Sequence, residues 1–133
     1  MKPIAATLER TDTGYSAFVP EFDFCGTVGE TIEEIRKNLI EAISLFLEDS
    51  PEKHKEIGIG TEDSVKFDFR MDVTDFFQLH HQINQSFIAK KAGINPSLIR
   101  QYARGIKHPG IIQAKKIEKA IHQLGRELLQ VRF

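Results

Sequence analysis

The sequence predicts an α+β fold in two parts: a β-β-β-α-β domain over residues 1–70, then an all-α domain of about five helices over residues 71–133. Two observations carry this. The hydrophobic period is two along most of the first part and close to 3.6 along the second. The charge also divides near the same place. Residues 1–70 hold 8 Lys and Arg against 15 Asp and Glu, a net −7, while residues 71–133 hold 10 against 4, a net +6. An acidic part joined to a basic part suggests a nucleic-acid-binding half and a different partner for the other half.

In the first part, Ile4, Ala6 and Leu8 alternate with Ala5, Thr7 and Glu9, which predicts a strand with one buried face. Thr11-Asp12-Thr13-Gly14 is a turn signal, and Tyr15, Ala17 and Val19 alternate with Ser16 and Phe18 up to Pro20, completing a hairpin. A short third strand falls within Phe24–Val28. Thr31 and Glu34 have capping-box spacing, a hydroxyl at the cap and a carboxylate three residues on. Ile32, Ile35, Leu39, Ala42, Ile43 and Phe46 then predict an amphipathic helix to about Glu48. Asp49–Thr61, with Pro51, Gly58 and Gly60, reads as a loop with room for a short helical turn. Val65, Phe67 and Phe69 alternate with Lys66, Asp68 and Arg70 in a last strand.

The second part opens with a connection, Met71–Asp75, and a helix over roughly Asp75–Gln82 with Phe76, Leu79 and Ile83 as its apolar stripe. His80 and His81 are adjacent. Neighbours on a helix point about 100° apart and rarely chelate one ion, so they read as surface or packing residues. Asn84 caps a helix over Gln85–Ala92, Gly93 supplies the positive φ that ends it, and Asn95 and Pro96 open a further helix to Arg104. Ala89, Gly93 and Ile99 have the spacing of a helix-turn-helix: a small residue for close approach, a glycine turn and an apolar anchor. Gly105 ends the third helix and 107–110 is a loop. Ile112, Ile117, Ile121, Leu124 and Leu128 predict a fourth helix, broken at Gly125, with Arg126–Val131 as a last short helix or tail.

With Ile99 inward, Tyr102 and Ala103 share its side, while Ser97, Gln101 and Arg104 point away, flanked by Leu98 and Arg100. These five are candidates for base edges: Gln suits adenine, Arg suits guanine, and Leu98 suits a thymine methyl. Gln85, at a helix start, suits a phosphate, and Lys107 and His108 are near enough for backbone contacts. Lys90, Lys91, Lys115, Lys116 and Lys119 are further phosphate candidates, of which about a third are expected to touch DNA.

The segment GYSAFVPEFDFCGTVGETIEEIRKNLIEAISLFL, through Tyr15, Ala17, Pro20, Glu21, Gly29, Glu30 and Thr31, resembles the HicB antitoxin family. Cys25-Gly26 reverses the commoner Gly-Cys order. The whole chain is similar to a HicB subgroup ending in a helix-turn-helix of the Cro/repressor type. That resemblance implies a partly degraded ribonuclease-H-like fold without catalysis. It also implies a HicA-like toxin partner (a small basic ribonuclease that cleaves mRNA) and repression of the protein's own operon. It places a phosphate-contacting glutamine at Gln85. Cro-type domains often carry Glu before the last residue of the third helix. Here that position is Ala103, so any structural hydrogen bond from such a Glu is lost.

The residues suit a non-enzyme. Glu21, Asp23, Glu30, Glu33 and Glu34 read as turn and helix-start charges rather than a two-metal cluster. Cys25 reads as a packed small residue, and a single cysteine excludes an internal disulfide and a Cys-based zinc site. No cofactor or metal is expected. No apolar run reaches the ~18 residues of a membrane span, and no leader-like N-terminus is present, so a cytoplasmic protein is expected. A single reading helix covers few base pairs, so a homodimer or higher homo-oligomer on a palindromic operator is expected. The alternative is a one-component regulator whose first domain senses a small ligand, a reading for which residues 1–70 offer no convergent polar pocket in sequence.

Overall fold

The computed structural model describes residues 2–23, 25–60 and 64–133. Phe24 and Thr61, which bound two of the expected segments, lie outside them. The fold is α+β, and the chain divides into two compact units, Met1–Asp72 and Val73–Phe133.

The first unit is a four-stranded sheet covered on one face by helix. Strands β1 (Ile4–Arg10), β2 (Tyr15–Val19) and β3 (Cys25–Gly29) are antiparallel neighbours. Strand β4 (Phe67–Met71) returns parallel to β1, giving the order β3-β2-β1-β4. Helix α1 (Ile32–Phe46) packs on β3 and β2. The alternation read from sequence is the burial pattern: Ile4, Ala6, Leu8, Tyr15, Ala17 and Val19 are buried together with Ile35, Leu39 and Ile43 of α1. At its two ends the stripe of α1 is looser than its spacing suggests, since Ile32 and Phe46 are exposed.

Two local devices fix this unit. The cap half of the box forms, the Glu34 amide donating to Thr31 Oγ1 at 3.1 Å, while the return bond falls one residue early, Glu34 Oε2 accepting from the Glu30 amide at 3.2 Å. At the hairpin, the Gly14 amide donates to Thr11 Oγ1 at 3.0 Å, and a Cβ on Gly14 would stand 2.5 Å from the Gly29 carbonyl oxygen. Backbone lies where a side chain would go, so the turn glycine also sets how closely the hairpin meets the start of α1.

The segment expected as a loop contains helix α2 (Pro51–Ile57), so the order is β-β-β-α-α-β. Pro51 occupies the first turn, where its missing N–H costs nothing, and Gly58 closes the helix at φ 90°.

The second unit has four helices where about five were expected: α3 (Val73–Leu79), α4 (Gln85–Ala92), α5 (Pro96–Arg104) and α6 (Ile111–Leu128). The difference lies at Gly125, which α6 runs through. A helical glycine costs only about 1 kcal/mol against alanine, and Arg126, Glu127 and Leu128 are good helix formers that continue the last turn. Phe77, Ile88, Ala89, Ile94, Ile99, Tyr102, Ala103, Ile117 and Ala120 form the core. Ile112 and Leu128, expected on the buried stripe of α6, are exposed. No helix among the described residues is long and apolar enough to cross a membrane.

Two glycine substitutions should move stability in opposite directions. Gly14→Ala should destabilise the first unit by about 1–3 kcal/mol, as over-packing does. Gly125→Ala, with open space around it, should stabilise the second by roughly 0.5–1 kcal/mol. Denaturant titration followed by amide exchange in each unit checks both.

Candidate nucleic-acid interface

The candidate surface begins with how α4 and α5 are joined. Asn84 Oδ1 accepts from the Phe87 amide at 3.0 Å and caps α4. Gly93 ends that helix at φ 70°, and nothing lies within 4 Å of a Cβ built there, so backbone conformation rather than space calls for glycine. The Ile94 amide then donates back to the Ala89 carbonyl at 2.9 Å, and its side chain drops into the core. Asn95 Oδ1 accepts from the Ser97 amide at 2.8 Å, and Pro96 opens α5. Three residues, Gly93-Ile94-Asn95, thus turn the chain between two capped helices.

Helix α5 buries Ile99, Tyr102 and Ala103, the three residues expected inward. Ala89 and Ile99 are both fully buried, the small residue on α4 leaving room for the anchor on α5. The far end is held from α3. Thr74 Oγ1 donates to the Tyr102 carbonyl at 2.7 Å, and Gln78 Nε2 donates to the Ala103 carbonyl at 3.3 Å. These two side chains tie down the last turn of α5. Their spacing of four residues puts them on one face of α3, a signal present in the sequence but unread without knowing which helix that face meets. Gly105 closes α5 at φ 76°, and the Ile106 amide donates to the Gln101 carbonyl at 3.0 Å, which sets the path of the following loop.

The eight candidate residues do not behave alike. Ser97, Arg100 and Arg104 of α5 and Lys107 and His108 beyond it are exposed. Arg100 Nη2 donates to Ser97 Oγ at 3.3 Å, which orients its guanidinium along the outer face. Gln85, at the first position of α4, is half-buried. Leu98 is half-buried and packs against the core, so part of the side chain expected to meet a thymine methyl is already used. Gln101 is half-buried, and its Oε1 is buried without a hydrogen-bond partner. The outward face is therefore centred on Ser97, Arg100 and Arg104, with Gln101 at its edge rather than its middle. Among the lysines, Lys91 Nζ lies 5.6 Å from the centre of the Phe87 ring, and Lys115 pairs with Glu118 at 3.5 Å.

Histidine at the end of α3 has a packing role. The His80 ring lies 4.7 Å from that of Phe76, its Nδ1 is 3.0 Å from Gln82 Nε2, and burial lowers its pKa below the usual 6.5. His81 is exposed. Among the described residues no group of three or more His, Cys, Asp or Glu could hold a metal ion. Burial first, and then the charge of Asp23, pushes the Cys25 thiol up. That disfavours the thiolate a nucleophile needs.

Comparison with known proteins reaches part of the chain. It is 44% identical over 46 residues to a UPF0150 protein of Helicobacter pylori (strain J99), a match covering 35% of this chain and 64% of that relative. It is 39% identical over 49 residues to a UPF0150 protein of Synechocystis sp. (strain PCC 6803), covering 37% of this chain and 62% of the relative. The chain thus spans a little under two thirds of the length of each. No family profile matches the chain, and no solved structure matches it.

Replacing Thr74 by Val should cost the second unit about 0.5–1.5 kcal/mol, the net value of one hydrogen bond. It should also speed amide exchange in the last turn of α5 more than in α4. Acidification should weaken the same unit. His80 is held neutral in the fold, so its contribution is complete above pH 6.5 and is lost as pH falls from there toward its lower folded-state pKa. Thermal melts from pH 7.5 to 5 should lose part of their slope in His80→Gln.

Proposed function

We propose that this chain is the antitoxin of a type II toxin–antitoxin pair and the repressor of its own operon. The observation that carries the reading is the outer face of α5. Ser97, Arg100 and Arg104 stand exposed on a helix that is capped at its start, buried along Ile99 and Tyr102, and tied at its end to Thr74 and Gln78. Such a helix can enter a major groove with its polar side chains already in place, and its two arginines suit guanine edges or phosphates. The charge of the unit supports this. Residues 73–133 hold 10 Lys and Arg against 3 Asp and Glu, a net +7.

Residues 1–72 hold 8 against 16, a net −8. An acidic surface speeds and orients encounter with a basic partner, and the partner in this reading is a HicA-like ribonuclease. Partial similarity to UPF0150 proteins and the motif from Tyr15 to Thr31 lend the family-level support, and the partial ribonuclease-H-like description of the sheet belongs to the same proposal. No catalytic step, metal or cofactor is assigned to the chain, and the pair would act in the cytoplasm.

The one-component regulator has one observation in its favour. An open groove on α1 is lined by Arg36, Lys37, Ile40, Glu41, Ser44, Leu45 and Ile59, a mixed polar and apolar wall that a small molecule could occupy. Gene context separates the two readings: a neighbouring frame for a short basic protein favours the antitoxin, and a metabolic neighbour favours the sensor.

Gel shift on the DNA upstream of the gene tests the assigned face. Arg100→Ala and Arg104→Ala should each weaken operator binding by roughly 5- to 100-fold, the range for one good base contact. Affinity of the parent protein should fall steeply with salt as counterions are released. Undiminished binding by the double variant would remove α5 as the reading helix. Co-expression with the adjacent frame should rescue growth and yield a co-purifying complex, and failure of both would sink the antitoxin assignment.

A further inference from the structure

Three isoleucines stand out from the second unit just beyond α5. Ile106 is 65% exposed, Ile111 81% and Ile112 74%. The loop Lys107-His108-Pro109-Gly110 separates the first from the other two, which open α6. Packing does not call for them. At 100° per residue, Ile111 and Ile112 point about 120° and 140° away from the buried Ile117, one to each side, so neither continues the stripe that meets the core. Lys115, one turn further on, points between them. Nothing lies within 4 Å of a Cβ built on Gly110, so bare backbone precedes the pair and another molecule can come close.

Charge says what covers these side chains. Residues 76–117 hold 7 Lys and Arg and no Asp or Glu. A second copy or a basic protein would set like charge against like. Duplex DNA fits both properties of the surface. Its phosphates suit the cations, and isoleucine is one of the side chains that wedge between base steps from the minor groove. The path of the chain agrees. The Ile106 and Lys107 amides both donate to the Gln101 carbonyl, at 3.0 and 3.4 Å, so the loop leaves close against the last turn of α5.

We infer that Ile111 and Ile112 enter the minor groove next to the major groove read by α5 and kink the duplex there. Ile106, Lys107 and His108 then lie along the backbone that separates the two grooves. The inference rests on the operator-binding reading and adds to it a second contact of different chemistry. It also adds a sequence preference made without a hydrogen bond to any base. Pyrimidine–purine steps, TA and CA/TG, unstack most easily and are favoured at the point of entry.

Circular-permutation gel shift with the full chain on the upstream DNA tests this. The bound duplex should be bent by at least about 20°, the low end for apolar wedges. Ile111→Ser with Ile112→Ser should remove most of the bend. It should weaken binding by roughly 10-fold, the net of burying two isoleucines and unstacking one step. The salt dependence of that variant should match the parent, because no phosphate contact is lost. Lys107→Ala should do the reverse, lowering the salt slope by about 1 and keeping the bend. Leucine at both isoleucine positions should also keep it. Circular dichroism of the serine pair should be unchanged, since both side chains are exposed. If that pair fails to fold, 2-aminopurine at the pyrimidine–purine steps of the shifted fragment decides with the parent chain: its fluorescence should rise at one of them on binding. Specific binding without a bend, no rise in that fluorescence, or a bend that survives in the folded serine pair would overturn the inference and leave α5 as the reading helix. No specific shift of the upstream DNA would sink the operator reading and the inference together. Flotation with phosphatidylserine vesicles that the serine pair loses would also overturn it, assigning the surface to an anionic membrane.

Discussion

What α5 can present to solvent is decided by what it buries. Ile99, Tyr102 and Ala103 occupy one side of the helix and leave no freedom of rotation about its axis. The ends remove sliding: Asn95 holds the first turn, and Thr74 and Gln78 hold the carbonyls of Tyr102 and Ala103 in the last turn. A buried carbonyl without a donor is costly, so a shift of α5 along its axis would be opposed by hydrogen bonds as well as by packing. The direction of Arg100 and Arg104 follows from these buried contacts and needs no partner to establish it.

The first unit rests on a different constraint, the approach of two backbones. Gly14 lies against the carbonyl of Gly29 and the Cα of Glu30, and immediately afterwards Thr31 starts α1. The hairpin turn, the end of β3 and the start of the helix therefore meet at one point. The buried faces of β1 and β2 and the Ile35-Leu39-Ile43 stripe of α1 extend from that corner. The arginine of α1 reaches the other side of the unit, where Arg36 Nη2 donates to the Val65 carbonyl at 2.7 Å.

Much of this was legible in the chain, and the failures have physical reasons. Alternation placed β1 and β2, because a sheet with one covered face imposes period two on the residues it buries. Caps placed the ends of α4 and α5, because Asn84, Gly93, Asn95 and Gly105 each satisfy a need local to a few residues. Gly125 was misread as a break because a glycine inside a helix and one ending it look the same until φ is known. Leu98 and Gln101 are less exposed than their positions on a helical wheel suggest, because a wheel gives direction but not how closely neighbouring elements approach. Thr74 and Gln78 were missed for a related reason: a side chain that serves another helix through a contact 25 or more residues away leaves no local pattern.

The division of charge has a consequence for how the protein behaves as a solute. A −8 part and a +7 part in one chain nearly cancel, so the molecule is close to neutral near pH 6.5 while each part carries a strong field of its own. Net repulsion between molecules is then weak, and the acidic part of one copy attracts the basic part of the next. Such contact joins two unlike surfaces rather than one self-complementary patch, so it is not limited to pairs. Added salt screens these attractions and the pull toward phosphate alike, so the conditions that best disperse the protein are those in which its basic surface is least available to any anionic partner.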